Sequence, residues 1–137
     1  MNNDQARNAM LDYDAYYNAV NGQVNDLFYY YREQAALKAR QYQRALDDIV
    51  KAIELSPKDL TYRAEHAVVN LRVGRYEESM KILNEILKDE PKYAEAYRLL
   101  GLCQIQLKKT DEACGNFNKA KELGDPNVDE LIKKYCK

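Results

Sequence analysis

Residues 52–65, AIELSPKDLTYRAE, and residues 86–98, ILKDEPKYAEAYR, are two versions of one phrase: the end of an apolar run, a proline, then a fresh run. Pro57 and Pro91 stand 34 residues apart, and a further step of 34 reaches Asp125, with Pro126 beside it. A fixed period of this length signals stacked units, each too small to bury its apolar face alone. Working back from each anchor, the preceding segments align without gaps. Tyr42, Ala45, Leu46, Ile49, Val50 and Ile53 fall at offsets 0, 3, 4, 7, 8 and 11, one face of an amphipathic helix. Tyr76, Met80, Leu83 and Leu87 repeat that face one period later, and Ala113, Cys114, Phe117 and Ala120 repeat it again. Upstream of each lies a second helical stretch, at about 26–39, 60–73 and 94–107. Gly74 breaks the second pair at its inner turn, and Thr110, followed by Asp111 and Glu112, predicts an N-cap with acids in the first turn. Each period is therefore a helical hairpin.

Three such hairpins resemble the tetratricopeptide repeat (TPR), whose signature is W-x2-L-G-x2-Y, then A-x3-F, an Ala and a Pro. The third repeat matches best, with Tyr97 in the Trp position, Leu100-Gly101 intact, Ala113-x3-Phe117, Ala120 and a shifted Pro126. The first keeps Tyr29, Ala45-x3-Ile49, Ala52 and Pro57, but Arg32-Glu33 replaces Leu-Gly. The second keeps Ala67, Leu83 and Pro91, with Arg63 in the Trp position and Ser79 for Ala. The resemblance spans about residues 26–126 and implies an all-α, right-handed α-α superhelix, the TPR solenoid. Small residues at Gly101, Ala113 and Ala120 let the two helices of a hairpin approach closely, with Tyr97 and Phe117 filling the space beside them.

The expected organisation is one domain: an N-terminal helix in 1–25, repeats over 26–59, 60–93 and 94–126, and a C-terminal capping helix in 127–137. Ala6, Ala9, Met10, Tyr13, Tyr17 and Val20 form the first helix's stripe, ending at Asn21-Gly22. Half a repeat fits either a natural cap or a fragment of a longer array, with the fragment preferred. At the other end Gly124 closes the last repeat as a C′ glycine. Asp125 and Pro126 are expected at the N-cap and N1 of the cap helix, whose apolar face is Val128, Leu131, Ile132 and Tyr135.

Composition excludes several function classes. Lys plus Arg total 21 and Asp plus Glu 22, so no basic face for nucleic acid is indicated. No apolar run approaches the ~18 residues that span a membrane, and the opening MNNDQARNAM is not a signal peptide. The protein is then either cytoplasmic, or periplasmic or cell-envelope if an export signal lies upstream. The single histidine, His66, reads as a helix-packing residue, so no two-histidine metal site exists. No nucleotide, hydrolase or metalloprotease motif occurs, and the pairs Asp47-Asp48, Glu77-Glu78 and Asp129-Glu130 read as polar helix faces. No enzyme, cofactor or metal is expected.

Of the three cysteines, Cys103 reads as a small buried hydrophobe. Cys114 lies near the start of the last repeat's second helix and Cys136 at the end of the cap helix. Ten residues down and about nine back, at 1.5 Å per residue, bring the pair level. A Cys114–Cys136 disulfide is thus feasible, against the alternative of two free thiols, and would favour an exported protein. The phrase ELGDPNVDELIKKYCK with this pair also resembles bacterial envelope-type TPR proteins.

The resemblance implies a function: binding of a protein or peptide in the concave groove lined by the first helices of the repeats. Carried onto this chain, the groove positions are Leu27, Tyr30, Gln34, Leu37 and Lys38 in the first repeat. The second offers Ala64, Val68, Leu71 and Arg72, and the third Arg98, Leu102 and Ile105. An apolar middle with Lys38, Arg72 and Arg98 along it suits an amphipathic or extended peptide with some acidic character. Where the chaperone-binding subgroup carries a Lys/Asn/Arg clamp for C-terminal carboxylates, this chain has Tyr30, Gln34, Glu65, Glu95 and Leu99, which argues against chaperone tails. The alternative role is structural, in a longer array or by self-association through the first helix. Among the consecutive Tyr29, Tyr30 and Tyr31, the expectation puts Tyr29 in the hairpin core, Tyr31 against the N-terminal helix and Tyr30 in the groove.

Overall fold

The computed structural model describes residues 1–137, and all of its regular structure is helical. The helices are α1 (Asn3–Ala19), α2 (Asp26–Lys38), α3 (Tyr42–Leu55), α4 (Leu60–Val73), α5 (Tyr76–Asp89), α6 (Ala94–Gln106), α7 (Thr110–Glu122) and α8 (Asp129–Tyr135). None is long and apolar enough to cross a membrane. Two compact units can be distinguished, Met1–Val69 and Asn70–Lys137, their boundary falling inside α4.

The 34-residue period recurs in the backbone. Arg40, Gly74 and Lys108, one period apart, all adopt positive φ (60°, 94° and 61°). Each closes its helix in a Schellman turn, where the following N–H reaches back to the third-last helical carbonyl. Those bonds are Gln41 N to Ala36 O, Arg75 N to Asn70 O and Lys109 N to Gln104 O, each 2.8 Å. Only Gly74 adopts this conformation without a Cβ penalty; Arg40 and Lys108 accept it because the hairpin demands it. The turn also corrects one expectation. It makes Lys109 the N-cap of α7, without a side-chain bond, and moves Thr110 to the first helical position.

The same period governs burial. Ala45, Ser79 and Ala113, then Ile49, Leu83 and Phe117, then Ala52, Ile86 and Ala120 form three columns without any exposure. Gly101 belongs to the column that faces them within the third hairpin. A Cβ built on Gly101 would stand 2.4 Å from the Phe117 ring, and Phe117 has nowhere to go at 0% exposure.

In the second unit α7 and α8 share a core of Ala113, Phe117, Ala120 and Val128, against which Tyr97, Leu102, Ile105, Leu131, Ile132 and Tyr135 pack. Gly124 (φ 90°) ends α7 as expected. Asp125 and Pro126, however, do not start α8. Asp125 Oδ1 accepts the Asn127 N–H at 2.7 Å in an Asx turn, and its Oδ2 takes Arg98 Nε at 2.8 Å. With both oxygens engaged the chain turns for two more residues, and Val128 plugs the core before the helix begins. The structure joins Cys114 to Cys136, with Cα atoms 5.8 Å apart. Closing this 22-residue separation is worth about 3 kcal/mol in the chain-entropy account. In the first unit α1 opens with a capping box, Asn2 to Gln5, and buries Ala6 and Met10.

Replacing Gly101 by Ala should cost about 1–3 kcal/mol, because the added methyl overpacks an immobile ring. The midpoint of urea unfolding measures it. The Gly115→Ala control, where nothing lies within 4 Å of the new Cβ, should lose no stability.

Candidate peptide-binding face

The first unit positions α2 through its first residue. Asn25 caps the helix by accepting the Phe28 N–H at 3.0 Å. Asp26 Oδ2 then accepts both Ser56 Oγ, at 2.9 Å, and the Tyr62 hydroxyl, at 3.0 Å. One carboxylate thus ties the start of α2 to the end of α3 and the start of α4. The two bonds hold its pKa below the ordinary carboxylate value, and Tyr62, chiefly through burial and then through Asp26, is pushed up to about 12. The fixed Tyr62 ring lies 5.2 Å from the ring of Tyr30, whose pKa is raised by burial. Tyr30 is therefore packed in place, yet it and Gln34 are each only half-buried.

Of the expected groove residues in this unit, Leu27 and Lys38 are exposed, and Tyr30, Gln34 and Val68 half-buried. Leu27, Tyr30, Gln34 and Lys38 fall at offsets 0, 3, 7 and 11, one face of α2. Leu37 and Ala64 are corrections: at 6% and 2% exposure they are core, not lining. In the second unit Leu71 is half-buried and Arg72 exposed. Leu102 and Ile105 are half-buried and also pack against the cluster of Ala113, Phe117, Ala120 and Val128. Arg98 is spent within its own repeat, pairing with Asp125, whose side chain is 3% exposed. Leu99 is buried and Glu95 accepts from the Tyr93 hydroxyl, so neither offers a donor to a ligand.

The tyrosine run differs from the expectation at Tyr31 and also at Tyr29, which is half-buried instead of core. Phe28, not Tyr31, meets α1: its ring lies 5.6 Å from Tyr13, 5.8 Å from Tyr16 and 6.1 Å from Tyr17. Tyr31 is half-exposed beside Tyr30 and, with Tyr16, Leu27 and Phe28, lines an open cleft of about 600 Å³. Tyr29 is half-buried against Phe28.

Two charged residues escaped sequence reading. Arg32 donates from Nε and Nη2 to Asp48 at 2.9 and 2.8 Å, a two-point grip, and stands 3.4 Å from Asp14. Its guanidinium also lies 4.9 Å from the centre of the Tyr17 ring. Asp48, expected on a polar face, is 4% exposed as a result. Val50, expected on the apolar stripe, is 40% exposed. The available signal was Arg32 in an apolar column with an acid 16 residues on. Glu33 is the second: its carboxyl is wholly buried and no group donates to either oxygen.

These observations meet a family model. The description "Tetratricopeptide repeat" matches residues 36–100 and 70–114, more than half the chain. The chain is a tetratricopeptide-repeat protein. It is similar to the heat shock protein STI1 of Saccharomyces cerevisiae, at 32% identity over 71% of this chain and 17% of that protein. It is also similar to a small glutamine-rich tetratricopeptide repeat-containing protein 2 of Mycosarcoma maydis, at 29% identity over 72% of this chain and 28% of that one. The chain thus spans less than a third of either relative. Among solved structures, the TPR protein YrrB aligns with a TM-score of 0.78 and 20% identity over 96% of this chain and 67% of that chain. The first TPR of Spaghetti (RPAP3), bound to the HSP90 peptide SRMEEVD, aligns at 0.69 and 19% over 81% and 90%. The helical-hairpin fold of the TPR is shared with both.

Within the TPR period Glu33 stands where the later repeats have Ala67 and Gly101. Burial, then the charge and acceptor oxygens of Glu65, then the charge of Asp48 push its pKa up to about 9. Folded protein therefore keeps this proton where the unfolded chain, near 4.5, releases it. The contribution is fully favourable below about 4.5 and is lost as pH rises toward about 9, above which both states are ionised. Urea midpoints should fall across that window in the native protein. Glu33→Gln, which keeps shape without the ionisation, should flatten the fall and be the more stable form at pH 8.

Proposed function

We propose that this TPR protein is a non-catalytic module that binds a protein or an extended peptide, with the accessible face of α2 as its main contact. The observation that carries this reading is the row Leu27, Tyr30, Gln34 and Lys38, which stays accessible while Asp26 and Tyr62 hold its centre in place. Tyr30 supplies a rigid aromatic surface with a polar tip, Gln34 a paired donor and acceptor for a peptide backbone, and Lys38 a positive end. Val68 adds apolar surface on α4. Pre-positioning lowers the ordering cost that a ligand meets on binding. A relative named heat shock protein STI1, and one TPR structure titled as bound to an HSP90 peptide, support a peptide ligand.

A second reading, an acidic chaperone tail, is favoured by that same HSP90 ligand. Against it stand Glu65 and Glu95 at places where a clamp for a carboxylate needs cations or amides, together with the engaged Arg98. Affinity capture from native lysate with the full chain should recover partners that a folded Tyr30→Ala/Gln34→Ala variant loses. Equal recovery by both would sink the α2 face. Titration of the SRMEEVD peptide in the same buffer should give no saturable binding; micromolar affinity would establish the chaperone-tail reading instead.

The Cys114–Cys136 bond also supports an oxidising compartment, and with it the cell-envelope resemblance of the C-terminal phrase. Protein extracted from its source and alkylated in denaturant without reductant should take one label, on Cys103. Three labels would assign it to a reducing compartment.

A further inference from the structure

The Phe28 ring takes part in two arrangements of the same kind, and only one is filled. In the first, the Arg32 guanidinium lies 4.9 Å from the Tyr17 ring centre and 5.2 Å from that of Phe28. Asp48, gripped at two points, is the main counter-charge to Arg32, and Asp14, which also pairs with Arg44, is a second one. In the second, Tyr13 stands edge-on to Phe28 at 5.6 Å, Tyr16 lies tilted at 5.8 Å, and Asp12 is the neighbouring carboxylate. With Ala9 these four line an open depression of about 380 Å³. Ala9, Asp12, Tyr13 and Tyr16 are spaced i, i+3, i+4 and i+7, so one face of α1 presents them together. Asp12 is exposed and has no ion pair, and Tyr16 is 56% exposed, a large aromatic surface left open.

We propose that this depression is a binding site for an arginine side chain of an extended peptide, stacked on Tyr16, Tyr13 and Phe28 and countered by Asp12. The chemistry matches what the neighbouring arrangement already holds. Guanidinium is weakly hydrated, stacks on aromatic faces and pairs with carboxylates, and lysine does each of these less well. The lining favours a cation, because it holds the Asp12 carboxylate and neither Lys nor Arg. A purely apolar partner would bury Asp12 without a counter-ion, which is costly. A second copy of this chain, packed by a two-fold axis, would bring two Asp12 carboxylates together. The site uses none of Leu27, Tyr30, Gln34 or Lys38, so it stands or falls independently of the α2 face.

The test is an amide-resolved NMR titration of the full chain with acetyl-Ala-Arg-Ala-amide and its Gln twin. The arginine peptide should give saturable shifts at Ala9, Asp12, Tyr13, Tyr16 and Phe28, with about tenfold weaker binding of the Gln peptide. Asp12→Asn and Tyr16→Ser, both at exposed positions, should leave the remaining amide pattern intact and each weaken arginine binding several-fold. Equal responses to the two peptides, shifts centred elsewhere, or no saturable shift at millimolar peptide would overturn the proposal. Concentration-dependent broadening of the same amides without peptide would assign the patch to a second copy, and would overturn it as well.

Discussion

In the third hairpin two helices cross closely because Gly101 gives up a side chain against Phe117. The ring fills the space that a Cβ would need, and the helices on either side take their spacing from it. From that spacing follows the zero exposure of Ala113 and Ala120. The C-terminal core extends the same contact, as Val128 and the residues of α8 pack on Phe117 and its neighbours. The disulfide from Cys114 to Cys136 then ties the cap helix to that core.

The first hairpin meets the same geometric demand with the opposite chemistry. Arg32 and Glu33 occupy the places where the third has Leu100 and Gly101. Arg32 reaches past the crossing to Asp48 and Asp14, so its charge is neutralised by α3 and α1 together. Glu33 has no donor and stays protonated, its pKa near 9, beside Glu65. A buried ionic network of this sort adds little net stability over an apolar core, but removing one partner alone is expensive. It links α1, α2 and α3 through specific pairs, which gives the first unit a more directional packing than the small-residue contact of the third. The aromatic residues of α1 gather around the same arginine, so packing and surface chemistry at this end have one origin.

Much of this was legible in the chain. The spacing of Pro57, Pro91 and Asp125 predicts three hairpins, and the helix limits lie within a residue or two of expectation except for α8, which starts at Asp129 instead of Pro126. The sealed columns through Ala45, Ile49 and Ala52 also follow from periodicity, because each helix has one inward face. The site was less legible. Leu37 and Ala64 have the positions of groove residues, but accessibility depends on what packs over a face, which no single helix records. Arg98 looked like a free cation until Asp125, 27 residues on, was seen to accept from it. Phe28 displaced Tyr31 at α1 because the direction of α1's approach is a tertiary fact.

The sequence by itself determined the repeat length, the all-helical class, the inward face of each helix and the reach of Cys114 to Cys136, since these depend on local geometry and fixed spacing. Only the tertiary structure decided which charges are buried and which apolar residues are covered. Asp48 lies on the polar side of its helix by any local measure and is buried because Arg32 comes to it. The energy of a charge or an exposed ring is set by its neighbours in space, and those neighbours are 16 to 30 residues away along the chain.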